Sequence, residues 1–165
     1  MNKLFETDIE TTYEAYSKYS KFIANKEQNF MTKVILCFIL YFVLGIGFMI
    51  YENDLFFFIV LAIAAFVFLY VVFAKRNKNI KKAWDSNVSM QHRKAHYDFY
   101  EDKFVVTLDD GTMSHEYSKI YKVYDNKEYI YLMLSNIEGH IFLKENCSKE
   151  LIEFLLEKNK KKENK

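Results

Sequence analysis

Two uninterrupted apolar runs constrain this chain more than anything else in it. Residues 34–51 read VILCFILYFVLGIGFMIY, eighteen positions without a charge, and residues 55–74 read LFFFIVLAIAAFVFLYVVFA, twenty more. Helices of that length, rising 1.5 Å per residue, reach roughly 27 and 30 Å, about the thickness of bilayer hydrocarbon. Twelve residues of the first run and fifteen of the second are Leu, Ile, Val or Phe. At about −0.3 to −0.6 kcal/mol each, insertion gains at most about 7 and 9 kcal/mol. A chain of 165 residues has too little other material to cover two all-round apolar helices with protein. Thirty-three residues, charged throughout, precede the first run, which does not fit a signal peptide. The expectation is a transmembrane helical hairpin over 34–74, with spans 34–51 and 55–74.

The connector, Glu52-Asn53-Asp54, carries two acids and no base. Lys18, Lys21, Lys26 and Lys33 approach the first span, and Lys75, Arg76, Lys78, Lys81 and Lys82 follow the second. By the positive-inside rule both termini face the cytoplasm, giving a multi-pass protein of the cell membrane. Neither span contains Asp, Glu, Lys, Arg or His. Channels, proton relays and transporters keep such groups where transport occurs, so the hairpin reads as an anchor. Gly45 and Gly47 offer a point of close helix approach, although G-x-G is not the G-x-x-x-G dimer motif. Cys37 falls within lipid and Cys147 in a reducing compartment, which reads as two structural thiols.

The formal net charge is +1, from 23 Lys+Arg and 22 Asp+Glu. That balance argues against a nucleic-acid partner, which calls for a clearly basic domain. The partner implied most directly is the lipid bilayer itself.

Residues 1–33 open with a strand-like piece, Leu4–Ile9. Thr11-Thr12-Tyr13-Glu14 then has the T-x-x-E spacing of a capping box. In the helix that follows, Tyr13, Tyr16, Ser20 and Ile23 share a face, with Tyr19 and Phe22 beside them. Tyrosines among lysines suit a helix at the membrane interface or one docked on the soluble domain. Residues 75–88 form a basic juxtamembrane segment. Its run of Lys75, Arg76, Lys78, Lys81 and Lys82 is explained by topology alone. A sharper reading makes it a binding site for anionic lipid headgroups, at about 1 kcal/mol per base near the surface. On that reading a fragment starting at Lys75 binds anionic vesicles.

From Ser89 the apolar period changes to two. Phe104, Val106 and Leu108 alternate with Lys103, Val105 and Thr107, and Asp110-Gly111 supplies a two-residue hairpin turn. That turn pairs Leu108 with Met113, Val106 with His115, and Phe104 with Tyr117. Further strands are expected at Lys94–Tyr100, Ile120–Asp125, Tyr129–Leu134 and His140–Lys144. A final amphipathic helix, capped by Ser148, buries Leu151, Ile152, Phe154 and Leu155. The fold class is thus an α+β membrane protein. Its domain over 89–160 is an antiparallel β-roll closed by a C-terminal helix, followed by a basic tail, 161–165.

Over these elements the chain resembles a known family. An acidic strand and Tyr-rich helix, two spans and a basic exit lead into "FYEDKFVVTLDDGTMSHEYSKIYKVYDNKEYIYLML" and the helix "SKELIEFLLEKN". This is similar to the YcxB-like family of small bacterial membrane proteins, with Tyr117–Asp125 and the YIYLML strand the most specific part. The resemblance implies a pleckstrin-homology-like C-terminal domain and a membrane address. It carries over no activity and no catalytic motif.

Candidate chemistry is sparse. His92 and His96 have metal-ligand spacing on a helix but stand about 13 Å apart on a strand. His115 and His140 read as surface or satisfied sheet residues. No G-x-S-x-G, Walker or G-x-G-x-x-G sequence occurs. The expectation is no enzyme: no catalytic residue, no metal and no cofactor. The leading function is presentation of an interaction domain at the inner membrane face, for a protein partner, a second copy of the chain, or lipid. The alternative is immunity against a membrane-active bacteriocin or toxin. A small transporter subunit is disfavoured by the uncharged spans.

Overall fold

The computed structural model describes residues 2–52 and 55–163. Asn53 and Asp54 of the expected connector, and the last two residues of the expected tail, lie outside the described residues. The protein is α+β, and the chain divides into two compact units, Met1–Ile23 with Asn87–Lys165, and Ala24–Ser86.

The first unit holds seven antiparallel strands in two sheets. β1 (Phe5–Glu10), β2 (Lys94–Phe99), β3 (Lys103–Leu108) and β4 (Gly111–Glu116) form one sheet in that order. β5 (Lys122–Asp125), β6 (Tyr129–Met133) and β7 (Gly139–Leu143) form the other. Period-two patterning turns Tyr97, Phe99, Phe104 and Val106 of the first sheet inward, where each is at most 5% exposed. They meet Ile130, Leu132 and Phe142 of the second sheet in one core. The Phe99 and Phe142 rings lie 5.8 Å apart. α4 (Lys149–Glu163) adds Leu151 and Leu155 to that core. The Leu151 amide donates to Ser148 Oγ at 3.1 Å, the expected N-cap.

β1 is separated from its partner by the whole apolar region. Yet it pairs with β2 over six residues, from Phe5↔Phe99 to Glu10↔Lys94. The helix after it, α1 (Tyr13–Lys26), covers the outer face of the second sheet. There Ala15, Tyr19 and Ile23 pack with Tyr129, Tyr131 and Met133. Tyr19 meets Tyr131 edge-on at 5.5 Å, and its hydroxyl donates to the Ile137 carbonyl at 3.0 Å. β6 is therefore buried along its whole length, Ile130 and Leu132 inside and its other side chains under α1. Burying Tyr19 and Ile23 contributes about 1.5–3 kcal/mol each.

Two local expectations are corrected in α1. Its cap is Thr12, whose Oγ1 accepts from the Ala15 amide at 3.2 Å. The box therefore starts one residue later than T-x-x-E spacing suggests, and Glu14 pairs instead with Lys18 at 2.8 Å. The buried face is Ala15, Tyr19 and Ile23, while Tyr13 of the expected stripe is exposed.

The β3–β4 register is also corrected. Leu108 pairs with Gly111, Val106 with Met113, and Phe104 with His115. The turn is Asp109-Asp110, one residue before the expected one. Neither aspartate takes positive φ, and the backbone turns to φ +153° at Gly111. The Asp-Gly signal is real, but the glycine serves just after the turn. Moving the turn by one residue slips the pairing by two, so every side chain keeps its face.

In the second unit, α2 (Phe30–Glu52) and α3 (Leu55–Ser86) pack antiparallel. The Phe30 and Phe73 rings lie 6.1 Å apart, and those of Phe38 and Phe66 6.4 Å apart. Tyr41 donates its hydroxyl to the Leu61 carbonyl at 3.0 Å. A Cβ on Gly45 would sit 3.3 Å from Leu61 Cδ1, so this glycine is a point of close approach, and Gly47 is open. Both helices are long and apolar enough to cross a membrane, and only 6% of each apolar stretch is buried within the chain. α3 continues unbroken through the basic run to Ser86.

Candidate functional site

A partly open cavity of about 580 Å³ lies between the first sheet and the edge strand β7. Its apolar lining includes Ile9, Ala95, Val106 and Leu108 of the first sheet, with Ile141 and Leu143 from the face of β7 that packs under α1. Two histidines enter this space from different sheets. His115 comes from β4 and His140 from β7, with ring centroids 5.4 Å apart. Strand alternation decides their direction, since His115 shares the inward parity of Tyr117 on the same segment. His115 stacks on Phe104 at 5.1 Å, and His140 stands edge-on to the same ring at 5.3 Å.

His140 Nδ1 is hydrogen-bonded to the Tyr97 hydroxyl at 3.0 Å. The Nε2 atoms of both histidines are buried with no hydrogen-bond partner among the described residues. Burial, with the second imidazole beside it, pulls the His140 pKa down to about 4. Burial lowers His115 as well, against a weak opposing pull from Glu138. Burial thus favours the neutral form of both rings. The expectation that these two were surface or satisfied sheet residues is corrected. They are the polar centre of the cavity.

Sequence reasoning missed the pair because β4 and β7 belong to different sheets. Its one legible signal was the alternation placing Met113, His115 and Tyr117 on one face. The chemistry available is hydrogen bonding by two neutral imidazoles in a largely apolar, partly open cavity. The rim adds charge: Glu10 and Glu138 line it, and Arg93 there is paired with Asp110.

His92 and His96 do not form a ligand pair. His92 sits in a turn at φ 55° and bonds Glu10 at 2.9 Å, whereas His96 lies on β2 and bonds Asp8 at 2.7 Å. Glu6, His96 and Asp98 do gather their ligand atoms within 4.8 Å. Lys3 pairs with both carboxylates, and His96 Nε2 lies 3.3 Å from Asp98, so the group is an ion-pair network. Cys147 is half-buried and burial raises its thiol pKa, the mark of a structural thiol.

The five bases of the basic exit separate by face along α3. Lys75, Lys78, Lys81 and Lys82 are exposed and fall on one side at helical spacing. Arg76 points away from them, lies 4.4 Å over the Phe30 ring and donates to Asn25 Oδ1 at 3.3 Å. Lys81 also lies 3.5 Å from Asp85, an exposed pair of small energetic weight.

Together these features define an α+β protein whose antiparallel sheets accompany two helices long and apolar enough to span a membrane. Residues 99–158, which run from the end of β2 into α4, match the model of the family described as YcxB-like protein. That is the family the sequence itself resembles. No curated protein and no solved structure matches the chain.

Proposed function

We propose that this is a non-enzymatic membrane protein that holds a binding domain against the inner face of the cell membrane. α2 and α3 cross the bilayer as a hairpin, and both flanks face the cytoplasm. One observation carries the reading: β1, before the apolar pair, completes a sheet with β2, after it. Two strands of one ladder lie on the same side of a membrane, so the chain between them crosses an even number of times. The hairpin is thus a loop emerging from a single domain, as suits an anchor. Supporting it, apolar side chains such as Leu36, Leu40 and Leu44 are 60–65% exposed on the second unit and need apolar cover.

The four-plus-three arrangement of antiparallel strands closed by a C-terminal helix supports a pleckstrin-homology-like domain. Its partner is a protein or lipid at the membrane face. The lysine stripe on α3 adds attraction to anionic headgroups of about 1 kcal/mol per base, hence about 4 kcal/mol from four exposed lysines at low ionic strength. Arg76, occupied by Phe30 and Asn25, does not join them.

Cysteine accessibility in cells tests the reading, with Cys37 and Cys147 first replaced by alanine. A cysteine at position 52 should react with an impermeant maleimide from outside. One at Thr112, on the exposed end of β4, should react only after permeabilisation. The reverse pattern overturns the orientation, and equal labelling of both overturns the crossing. A fragment starting at Lys75 is not a sound substitute, because it lacks β1 and α1 and leaves β6 uncovered.

A further inference from the structure

A partly open space of about 580 Å³ is in the volume range of small-ligand sites. Its walls come from the sheets, α1 and their connecting segments, with no side chain from α4. The two unpartnered Nε2 atoms of His115 and His140 are the kind of buried polar group that requires a partner. Tyr97 fixes the His140 ring through Nδ1, which leaves Nε2 as its free hydrogen-bonding atom in either tautomer.

We infer that this cavity between the first sheet and β7 is a binding site for a neutral amphiphile: an apolar body against Ile9, Ala95, Val106 and Leu108, with one hydroxyl or carbonyl group on the His115–His140 pair. The charges around the cavity require a neutral head. Neither imidazole carries charge, the rim presents the Glu10 and Glu138 carboxylates, and the Arg93 guanidinium is already paired with Asp110. An anionic head finds no free cation among these groups and meets the Glu138 carboxylate, which already acts on His115. The inference does not rest on the membrane reading, since every residue it uses belongs to the sheet unit.

The test uses the full chain in lipid nanodiscs with its four histidines labelled at Cε1, titrated with 1-decanol, decane and decanoate at pH 7.5. Protein-free nanodiscs correct for partition into lipid. Decanol should shift the His115 and His140 resonances saturably, while those of His92 and His96 stay in place. Decane and decanoate should each bind about tenfold more weakly, the factor that one ordinary hydrogen bond supplies. Ala95→Leu, which fills part of the cavity from its wall, should weaken decanol by at least the same factor. Met113→Trp, at an exposed position on the cavity lining, gives a second obstruction that spares the core. Equal shifts at all four histidines, or no saturation, overturn the site. Decane binding as tightly as decanol overturns the role of the histidines, and decanoate binding tightest overturns the neutral head. Decanol affinity unchanged in both obstructing variants overturns the location.

Discussion

Acidification should destabilise the sheet unit through His140, and His140→Gln should remove that part of the sensitivity. The native pKa of about 4 lies below the ordinary value near 6.5, so the folded state favours the neutral ring. Above pH 6.5 both states are neutral and the stability is intact. Between pH 6.5 and 4 the unfolded chain takes up the proton first, and stability falls. Below pH 4 both states are protonated and the loss levels off at about 3 kcal/mol, having reached about 2 kcal/mol at pH 5. Burial causes most of the shift and the neighbouring His115 the rest. The assay is urea unfolding of the nanodisc-held chain from pH 8 to 4, followed by the near-ultraviolet dichroism of the packed tyrosines. His115, also lowered by burial, acts in the same direction in both proteins. His96, raised by the Asp8 carboxylate, acts oppositely: its stabilisation is present below pH 6.5 and is lost as pH rises through its native pKa. The difference between wild type and His140→Gln isolates one imidazole. Parallel losses in the two proteins across pH 6.5–4 would refute the argument that His140 is held neutral.

Three further outcomes test the fold. In a background without native cysteines, Thr107→Cys with Thr112→Cys should crosslink under mild oxidation, as their pairing requires. Thr107→Cys with Ser114→Cys, the pair demanded by an Asp110-Gly111 turn, should not. Gly139→Ala should destabilise the sheet unit by about 1–3 kcal/mol, read as a lower unfolding midpoint. Its Cβ would stand 2.7 Å from the Leu132 carbonyl and 3.0 Å from Met133 Cα, both backbone atoms that cannot turn aside. Ile23→Ala should lower stability by about 2–4 kcal/mol if α1 is an integral layer, since Ile23 is only 4% exposed. A helix that merely lies on the surface would lose almost nothing.

Local chemistry made most elements legible. The apolar runs fix α2 and α3, since no polar residue interrupts them, and alternation fixes β3 to β7 to within a residue or two. Ser148 reads correctly as a cap because the amide it serves is three residues away. What escaped the sequence depends on distant partners. β1 looks like an acidic strand of no fixed affiliation until β2 returns to it, 84 residues beyond Glu10. The buried stripe of α1 follows the shape of β6, so Ala15 counts and Tyr13 does not. The Asp-Gly dipeptide signals a turn but cannot say which residue takes positive φ. The His115–His140 pair was invisible for the same reason as β1: its members meet only when two sheets face each other.

The interrupted first sheet has a consequence for how the protein is made. β1 and α1 leave the ribosome before β2 and must wait for it, which at about 5–20 residues per second takes roughly 4–17 s. For a hairpin inserted as proposed, the two halves of the domain then meet and close. If one helix fails to insert, the halves end on opposite sides, β2 keeps a bare edge, and Tyr129, Tyr131 and Met133 stay uncovered. Such a chain advertises its own error to chaperones and proteases. On the proposed topology, folding thus proofreads insertion, and only a correctly threaded molecule completes its sheet.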